Sequence, residues 1–389
     1  MNLPSSKKVD ALPPYLFARI NEKKRKLMAE GIDIIDLGIG DPDIPTPSFI
    51  VDRLVKELAN PENMRYPSFG GCDEFREAVA YFYKKEYGVE LDPKEEVLTL
   101  IGSKEGIAHL ILAYIDEGDA VLVPDPSYPV YRMATYLSNG VVHEMPLLES
   151  NAYLPEYEAI PKDILEKAKI GLLNYPSNPT GASVDLDFFE KSVAFFKENN
   201  IILAHDAAYQ LVTFDDYKAP SILQVPGAKE LAVEFGSLSK SFNMTGWRIG
   251  FVVGNKEVIK KLATVKSNLD TSQFLPIQLA GATALTTDLE YLKERNEIYK
   301  QRMLLMTEAL EGIGIHTTIP RGGIYLWARV PVGFTSSSFA EKMLEGAGVV
   351  VTPGTAFGEA GEGYFRISVS VPDARLREAV ERIQQNLSN

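Results

Sequence analysis

Lys240 stands among small hydroxyl residues in the stretch Gly236-Ser-Leu-Ser-Lys-Ser-Phe-Asn-Met-Thr-Gly-Trp-Arg-Ile-Gly250. A neutral lysine amine attacks carbonyl carbon, and burial or a nearby cation lowers its pKa enough to supply that form. Ser237, Ser239 and Arg248 offer hydroxyls and a planar guanidinium fork, a set suited to holding a phosphate. The pattern therefore fits an aldehyde that Lys240 captures as a Schiff base beside an anchored phosphate. A solvated loop shares the short Ser-x-Ser-Lys composition, but it has no need of Trp247 or of glycines on both sides.

Two further places carry chemistry. Gly102-Ser-Lys-Glu-Gly106 joins an apolar strand to an apolar helix, and backbone N–H groups at a helix start bind phosphate, which makes Ser103 and Lys104 candidate contacts. Asp206 closes the apolar run Ile201-Ile-Leu-Ala-His-Asp206, where a carboxylate is costly unless it is paired.

Other chemistries find little support. The one cysteine, Cys72, and histidines at 109, 143, 205 and 316 show no metal-ligand spacing, so no metal is expected. Gly38-Ile-Gly-Asp-Pro-Asp43 lacks the third glycine of a dinucleotide fingerprint, and Pro42 blocks the helix that should follow. A net charge of -13 disfavours nucleic acid and anionic membranes as partners. No apolar run approaches the roughly 18 residues of a membrane span, and no signal-peptide pattern opens the chain, so a cytoplasmic protein is expected.

The elements that must position these groups read as α/β. Short apolar runs at 97–101, 120–124, 170–175, 201–206 and 231–235 alternate with helical stretches, which predicts a mostly parallel sheet covered on both faces. Further on, a long charged helix from Asp288 to Leu310 precedes strands at 323–330, 349–351 and 364–369, which predicts a smaller α/β domain. The expected division is a large domain over 46–285 and a discontinuous small domain of 1–45 with 286–389.

The lysine segment resembles that of the class I/II aminotransferases, the fold-type I pyridoxal-phosphate enzymes, whose large domain has a seven-stranded sheet. The likeness spans nearly the whole chain, with further motifs in the same order: Asn174-Tyr-Pro-Ser-Asn-Pro-Thr-Gly181, His205-Asp-Ala-Ala-Tyr209, Pro126-Ser-Tyr-Pro129 and Tyr364-Phe-Arg-Ile-Ser368. It implies pyridoxal 5'-phosphate on Lys240, held by Ser103, Lys104, Ser237, Ser239 and Arg248. It implies Asp206 at the ring nitrogen, Asn178 and Tyr209 at the ring oxygen, and Tyr128 stacked on the ring. Arg366 and the backbone of Gly40 would take the substrate carboxylate, with Asn178 nearby. Tyr66 would reach the phosphate of a neighbouring subunit, so the resemblance implies a homodimer with shared active sites.

The implied activity is ping-pong transamination between an L-amino acid and a 2-oxo acid. Leu12-Pro-Pro-Tyr-Leu-Phe17, the 38–47 loop and the 101–109 segment look similar to the LL-diaminopimelate aminotransferase group, which adds Tyr15 and Asn268 as substrate or cofactor contacts. The alternatives are a methionine, aromatic or broad-range aminotransferase, a C–S β-lyase on the same cofactor, and a non-catalytic regulator. The last carries a fused basic DNA-binding domain, for which this acidic chain leaves no room ahead of its motifs.

Overall fold

The computed structural model describes residues 5–10 and 17–387; Tyr15, expected to touch substrate, lies outside them. In chain order the strands are β1 (Ile35–Asp36), β2 (Val97–Leu100), β3 (Ala120–Asp125), β4 (Val141–Pro146), β5 (Ala168–Leu173), β6 (Ile202–Asp206), β7 (Ala232–Ser237), β8 (Gly250–Gly254), β9 (Tyr325–Arg329), β10 (Val349–Val350), β11 (Thr352–Pro353) and β12 (Tyr364–Ser368).

Strands β2 to β8 form one seven-stranded sheet in the order β2-β8-β7-β6-β5-β3-β4. All neighbouring pairs are parallel except those made by β8, which is antiparallel to both β2 and β7. This is the mostly parallel sheet expected from the sequence. Its strands are continuous apolar runs because both faces are covered. Leu122, Leu203 and Phe251 face one layer, against Phe75 and Phe82 of the Asp73–Tyr87 helix and Phe196 of the Leu186–Glu198 helix. Their neighbours Val121, Ala204 and Val252 point the other way, onto Ile107 and Leu110 of the Ser103–Tyr114 helix, as the two-residue pleat requires.

Two strands of this sheet, β4 and β8, are not marked by the sequence pattern. β4 is a half-exposed edge strand, so its apolar pattern is diluted. β8 is five buried residues bounded by glycines, and its reversed direction is a fact of pairing, not of composition.

A second set of elements packs around its own core. β11, β12 and β9 form an antiparallel sheet, and β1 pairs with β10 in parallel, joining residue 35 to residue 349. The helices Tyr291–Glu311, Ser336–Ala347 and Asp373–Leu387 contribute Met303, Phe339 and Leu376 to this core. Among the described residues no helix is long and apolar enough to cross a membrane.

One polar group sits deep in the large sheet. Glu234 of β7 is fully buried and accepts hydrogen bonds from Tyr83 Oη (2.7 Å), Ser221 Oγ (2.8 Å) and the Ile222 N–H (2.9 Å), with His205 Nδ1 at 2.8 Å. Burial alone would raise its pKa; the hydrogen bond and charge of His205, with the Tyr83 and Ile222 donors, outweigh that and hold it below the usual carboxylate range. Its stabilisation is therefore complete above the unfolded carboxylate value and is lost as pH falls through the lower folded value. Glu234→Ala leaves these donors buried and unmatched, and is expected to lower unfolding free energy by about 3–5 kcal/mol in a urea melt at neutral pH.

Candidate active site

The C-terminal ends of β2, β3, β5, β6 and β7 point to one edge of the sheet, and β8 starts there because it runs the other way. Crevices at the carboxyl ends of parallel strands are where open α/β sheets bind ligands. Here the edge opens into a cavity of about 550 Å³ lined by Ser103, Lys104, Tyr128, Asn178, Asp206, Tyr209, Ser237, Ser239, Lys240, Arg248, Arg366 and Gly40. Residues spread over more than 300 positions of sequence thus share one wall.

Lys240 is carried on the short helix Leu238–Ser241 that follows β7 directly. Its Nζ donates to the carbonyl of Gly40. Burial lowers its pKa, and Arg366 and Arg248 add to that, against the opposing pull of Tyr325 and Asp41. A larger share of the amine is therefore neutral at ordinary pH than for a solvated lysine.

One end of the cavity is built for an anion. Gly102 caps the Ser103–Tyr114 helix with φ +89°, and no side chain caps its first turn. Ser239 Oγ accepts from Arg248 Nη1 at 3.4 Å, and the Ser237 hydroxyl accepts from the Ser239 N–H at 3.2 Å. Gln273 holds the turn behind this fork, donating to the carbonyls of Trp247 and Arg248. Lys266, buried between Glu105 (3.1 Å) and Asp270 (2.7 Å), ties the Ser103–Tyr114 helix to the Lys256–Leu269 helix. A Cβ on Gly102 would lie 2.4 Å from Arg248 Nη2, in a backbone conformation that side chains rarely adopt. Gly102→Ala is therefore expected to push the guanidinium aside and weaken phosphate-bearing ligand retention about tenfold in equilibrium dialysis.

The opposite wall offers a buried carboxylate. Asp206 Oδ2 accepts from Tyr131 Oη at 2.8 Å, while Oδ1 is buried without a hydrogen-bond partner. Burial raises the Asp206 pKa; the Tyr131 hydroxyl, the charge of His205 and the Ala208 N–H oppose it. A buried carboxyl oxygen left without a partner in a cavity wall is matched by an N–H donor.

Between these ends lie the groups facing a substrate. Arg366 is 4% exposed, and its guanidinium lies between the rings of Tyr325 (4.0 Å) and Phe357 (4.6 Å). Nη1 donates to Asn178 Oδ1 and Nη2 to the Gly38 carbonyl, each at 2.6 Å, while Nε is buried and unpartnered. The Tyr209 and Tyr325 hydroxyls share a 2.9 Å hydrogen bond, and burial followed by Tyr325 drives the Tyr209 pKa well up. Gly40 is obligatory here: a Cβ would stand 1.9 Å from Tyr325 Oη. Tyr128 faces the cavity with Lys104 Nζ 5.9 Å from its ring centre.

Two expected residues are not brought in. Asn268 is exposed near the end of the Lys256–Leu269 helix, with its amide turned back to the Thr264 carbonyl at 2.8 Å. Tyr66 is 89% exposed and lies outside the cavity wall. Conversely, Tyr325, Phe357 and Tyr131 belong to the site and were not singled out. Tyr325 lies in a run, Gly323-Ile-Tyr-Leu-Trp327, that reads as an ordinary buried strand, so nothing local marks it.

Pyridoxal phosphate fits this arrangement. The helix start with Arg248 suits its phosphate, the open Asp206 Oδ1 suits a protonated ring nitrogen, and Lys240 opens on the space between them. The chain belongs to the family Aminotransferase class I and II, whose profile it matches over residues 32–383, and it is a pyridoxal-phosphate-dependent aminotransferase acting on amino and 2-oxo acids. It is similar to the LL-diaminopimelate aminotransferase of Moorella thermoacetica, 51% identical over 98% of both chains, and to that of Aquifex aeolicus, 52% identical over 97% of this chain and 98% of the relative. Among solved structures, substrate-bound BacF from Bacillus subtilis superposes with a TM-score of 0.95 at 40% identity, covering 99% of this chain and 98% of that one.

Proposed function

We propose that the enzyme moves an amino group between LL-2,6-diaminopimelate and 2-oxoglutarate in a ping-pong reaction. The observation that carries the chemistry is a half-buried Lys240, its pKa lowered, opening on the same cavity as Asp206, Arg248 and Arg366. The substrate rests on the two relatives at about half identity over nearly full length.

Pyridoxal phosphate, when bound, supplies the aldehyde that captures the amino group and a ring that draws electrons from the substrate α-carbon. Ser103, Lys104, Ser237, Ser239 and Arg248 would hold its phosphate, Asp206 its ring nitrogen, Asn178 and Tyr209 its ring oxygen, and Tyr128 its face. Arg366 would take the substrate carboxylate. Its Nε and the remaining hydrogens of Nη1 and Nη2 are uncommitted, and two flanking rings keep the fork from rotating. The Gly40 carbonyl holds the Lys240 amine beside that carboxylate. Lys240 Nζ would take the proton from the substrate α-carbon and give it up to the carbon of the aldehyde that captured the amino group.

We infer a homodimer in which Tyr66, an aromatic left 89% exposed, reaches the partner's phosphate site. We infer too a large domain over 46–285 and a small one of 1–45 with 286–389, supported by the pairing of β1 with β10. We infer a cytoplasmic enzyme, which cell fractionation would check.

A panel of amino donors with 2-oxoglutarate as acceptor tests the substrate. LL-diaminopimelate should give the highest kcat/KM, read as glutamate formed. A higher value for methionine or an aromatic donor would replace the substrate and leave transamination standing. Pyruvate and ammonia release from a cysteine conjugate, with no acceptor needed, would replace the reaction.

A further inference from the structure

The Tyr291–Glu311 helix turns Arg295, Tyr299 and Arg302 inward, on one face, as residues four and seven apart fall at 3.6 residues per turn. Arg295 is 6% exposed. Its Nη1 donates to the backbone carbonyl of Lys240 at 2.9 Å, to that of Ser241, and to Asn243 Oδ1 at 3.3 Å. Its Nη2 donates to the carbonyl of Leu211 at 2.9 Å and to Asn296 Oδ1 at 2.7 Å. Asn296 in turn donates to the same Leu211 carbonyl at 3.0 Å. Leu211 is two residues beyond Tyr209, so one planar group grips the backbone behind both Lys240 and Tyr209.

The grip extends to the substrate side. Asn243 donates to the Ile44 carbonyl at 2.7 Å, and Thr46 Oγ1 donates to the Asn243 carbonyl at 2.7 Å. Two turns along the same face, Arg302 holds Asp43 with two bonds of 2.7 and 3.0 Å. Gly40, the acceptor for Lys240 Nζ, opens this loop.

The partners of Arg295 are carbonyl oxygens and amides, and among the described residues no carboxylate pairs with it. A buried charge without a counter-ion is costly, and an apolar side chain of similar volume would fill the space without that penalty. What the cation gains is the carbonyl end of the Leu238–Ser241 helix, whose last acceptors lack intrahelical donors. The groups facing it electrostatically are the phenols of Tyr291 and Tyr299; burial brings Arg295 down to about 10, so it is charged at neutral pH.

We propose that Arg295 is a positioning residue for transamination: its fork sets the Lys240 segment against the Tyr209 turn, so that amine and phenol keep one separation while the proton moves. The proposal rests on the assignment of Lys240 and Tyr209 to the reaction made above.

The holoenzyme of Arg295→Lys tests it. Lysine keeps the charge but cannot span both segments with a rigid fork. The expected result is a kcat lower by about tenfold or more with both KM values within about twofold of the parent. The pH midpoint of the holoenzyme's visible absorbance should also move by about half a unit or more. In Arg295→Ala, added guanidinium ion should bring the midpoint back toward the parent value. A purely structural residue would lower the melting temperature and leave the midpoint where it was. If the Arg295→Lys enzyme keeps the parent kcat and midpoint while Lys240→Ala is inactive, the proposal fails alone. If Lys240→Ala is active, the assignment beneath it fails as well. Should Arg295→Ala not fold, the lysine variant decides.

Discussion

Lys240→Ala should lower kcat by about ten-thousand-fold or more, because one nitrogen both captures the cofactor and carries the substrate proton. The loss is large because neither role has a second candidate close by. Lys104 also reaches the cavity wall, but it stands at the Tyr128 ring, near the helix start, not beside Gly40. Exogenous small amines should restore part of the proton transfer, since the space vacated by the side chain is inside the cavity. A second readout is independent of turnover. Borohydride reduction of the parent holoenzyme, followed by denaturation and digestion, should leave a pyridoxyl group on the peptide containing Lys240, and none in the variant. A variant that turns over at the parent rate would end the assignment.

The next largest effect is expected at Arg366. Arg366→Lys keeps the charge and roughly the length, yet kcat/KM for the amino donor should fall about 100-fold, some 2.7 kcal/mol. The reason lies in the packing. The guanidinium lies between two rings at 4.0 and 4.6 Å, and it already bonds Asn178 and Gly38. A planar fork can keep both bonds and still offer hydrogens to a carboxylate, whereas an ammonium with three donors cannot do all of this. The control is a substrate amine that lacks the α-carboxylate. Its rate should change little, so the preference for the amino acid over the bare amine should shrink by the same factor. An unchanged preference would remove Arg366 from the carboxylate site.

The cofactor end of the site was legible in the sequence because its groups sit at the ends of strands. Ser237, Ser239, Lys240 and Arg248 lie within twelve residues, and Gly102-Ser103-Lys104 and Asp206 each close an apolar run. A strand end with a turn has a local signature, and each of these residues except Gly102 lines the cavity. The substrate end was less legible. Arg366 was identified only through the company of the other motifs, and Tyr325 and Phe357, its two ring neighbours, were not found at all. Both are buried, Tyr325 in a strand that reads as plain core and Phe357 in a short glycine-flanked turn with no chemical signature of its own.

What the sequence determined by itself is the alternation of buried strands with covering helices, and with it the placing of the chemistry at strand ends. Short-range pattern carries that information, since burial on two faces forces apolar runs and a change of direction forces turns. What only the tertiary structure decided is distance between segments far apart in the chain. Strand β8 runs against its neighbours, and so delivers Arg248 to the edge where β7 delivers Ser237. Gly40 meets Tyr325 and the Lys240 amine, and Arg295 joins the Lys240 backbone to the Tyr209 turn. Lys240 has its low pKa for the same reason: burial is its largest cause, and burial belongs to the assembled cavity, not to the peptide that carries the residue.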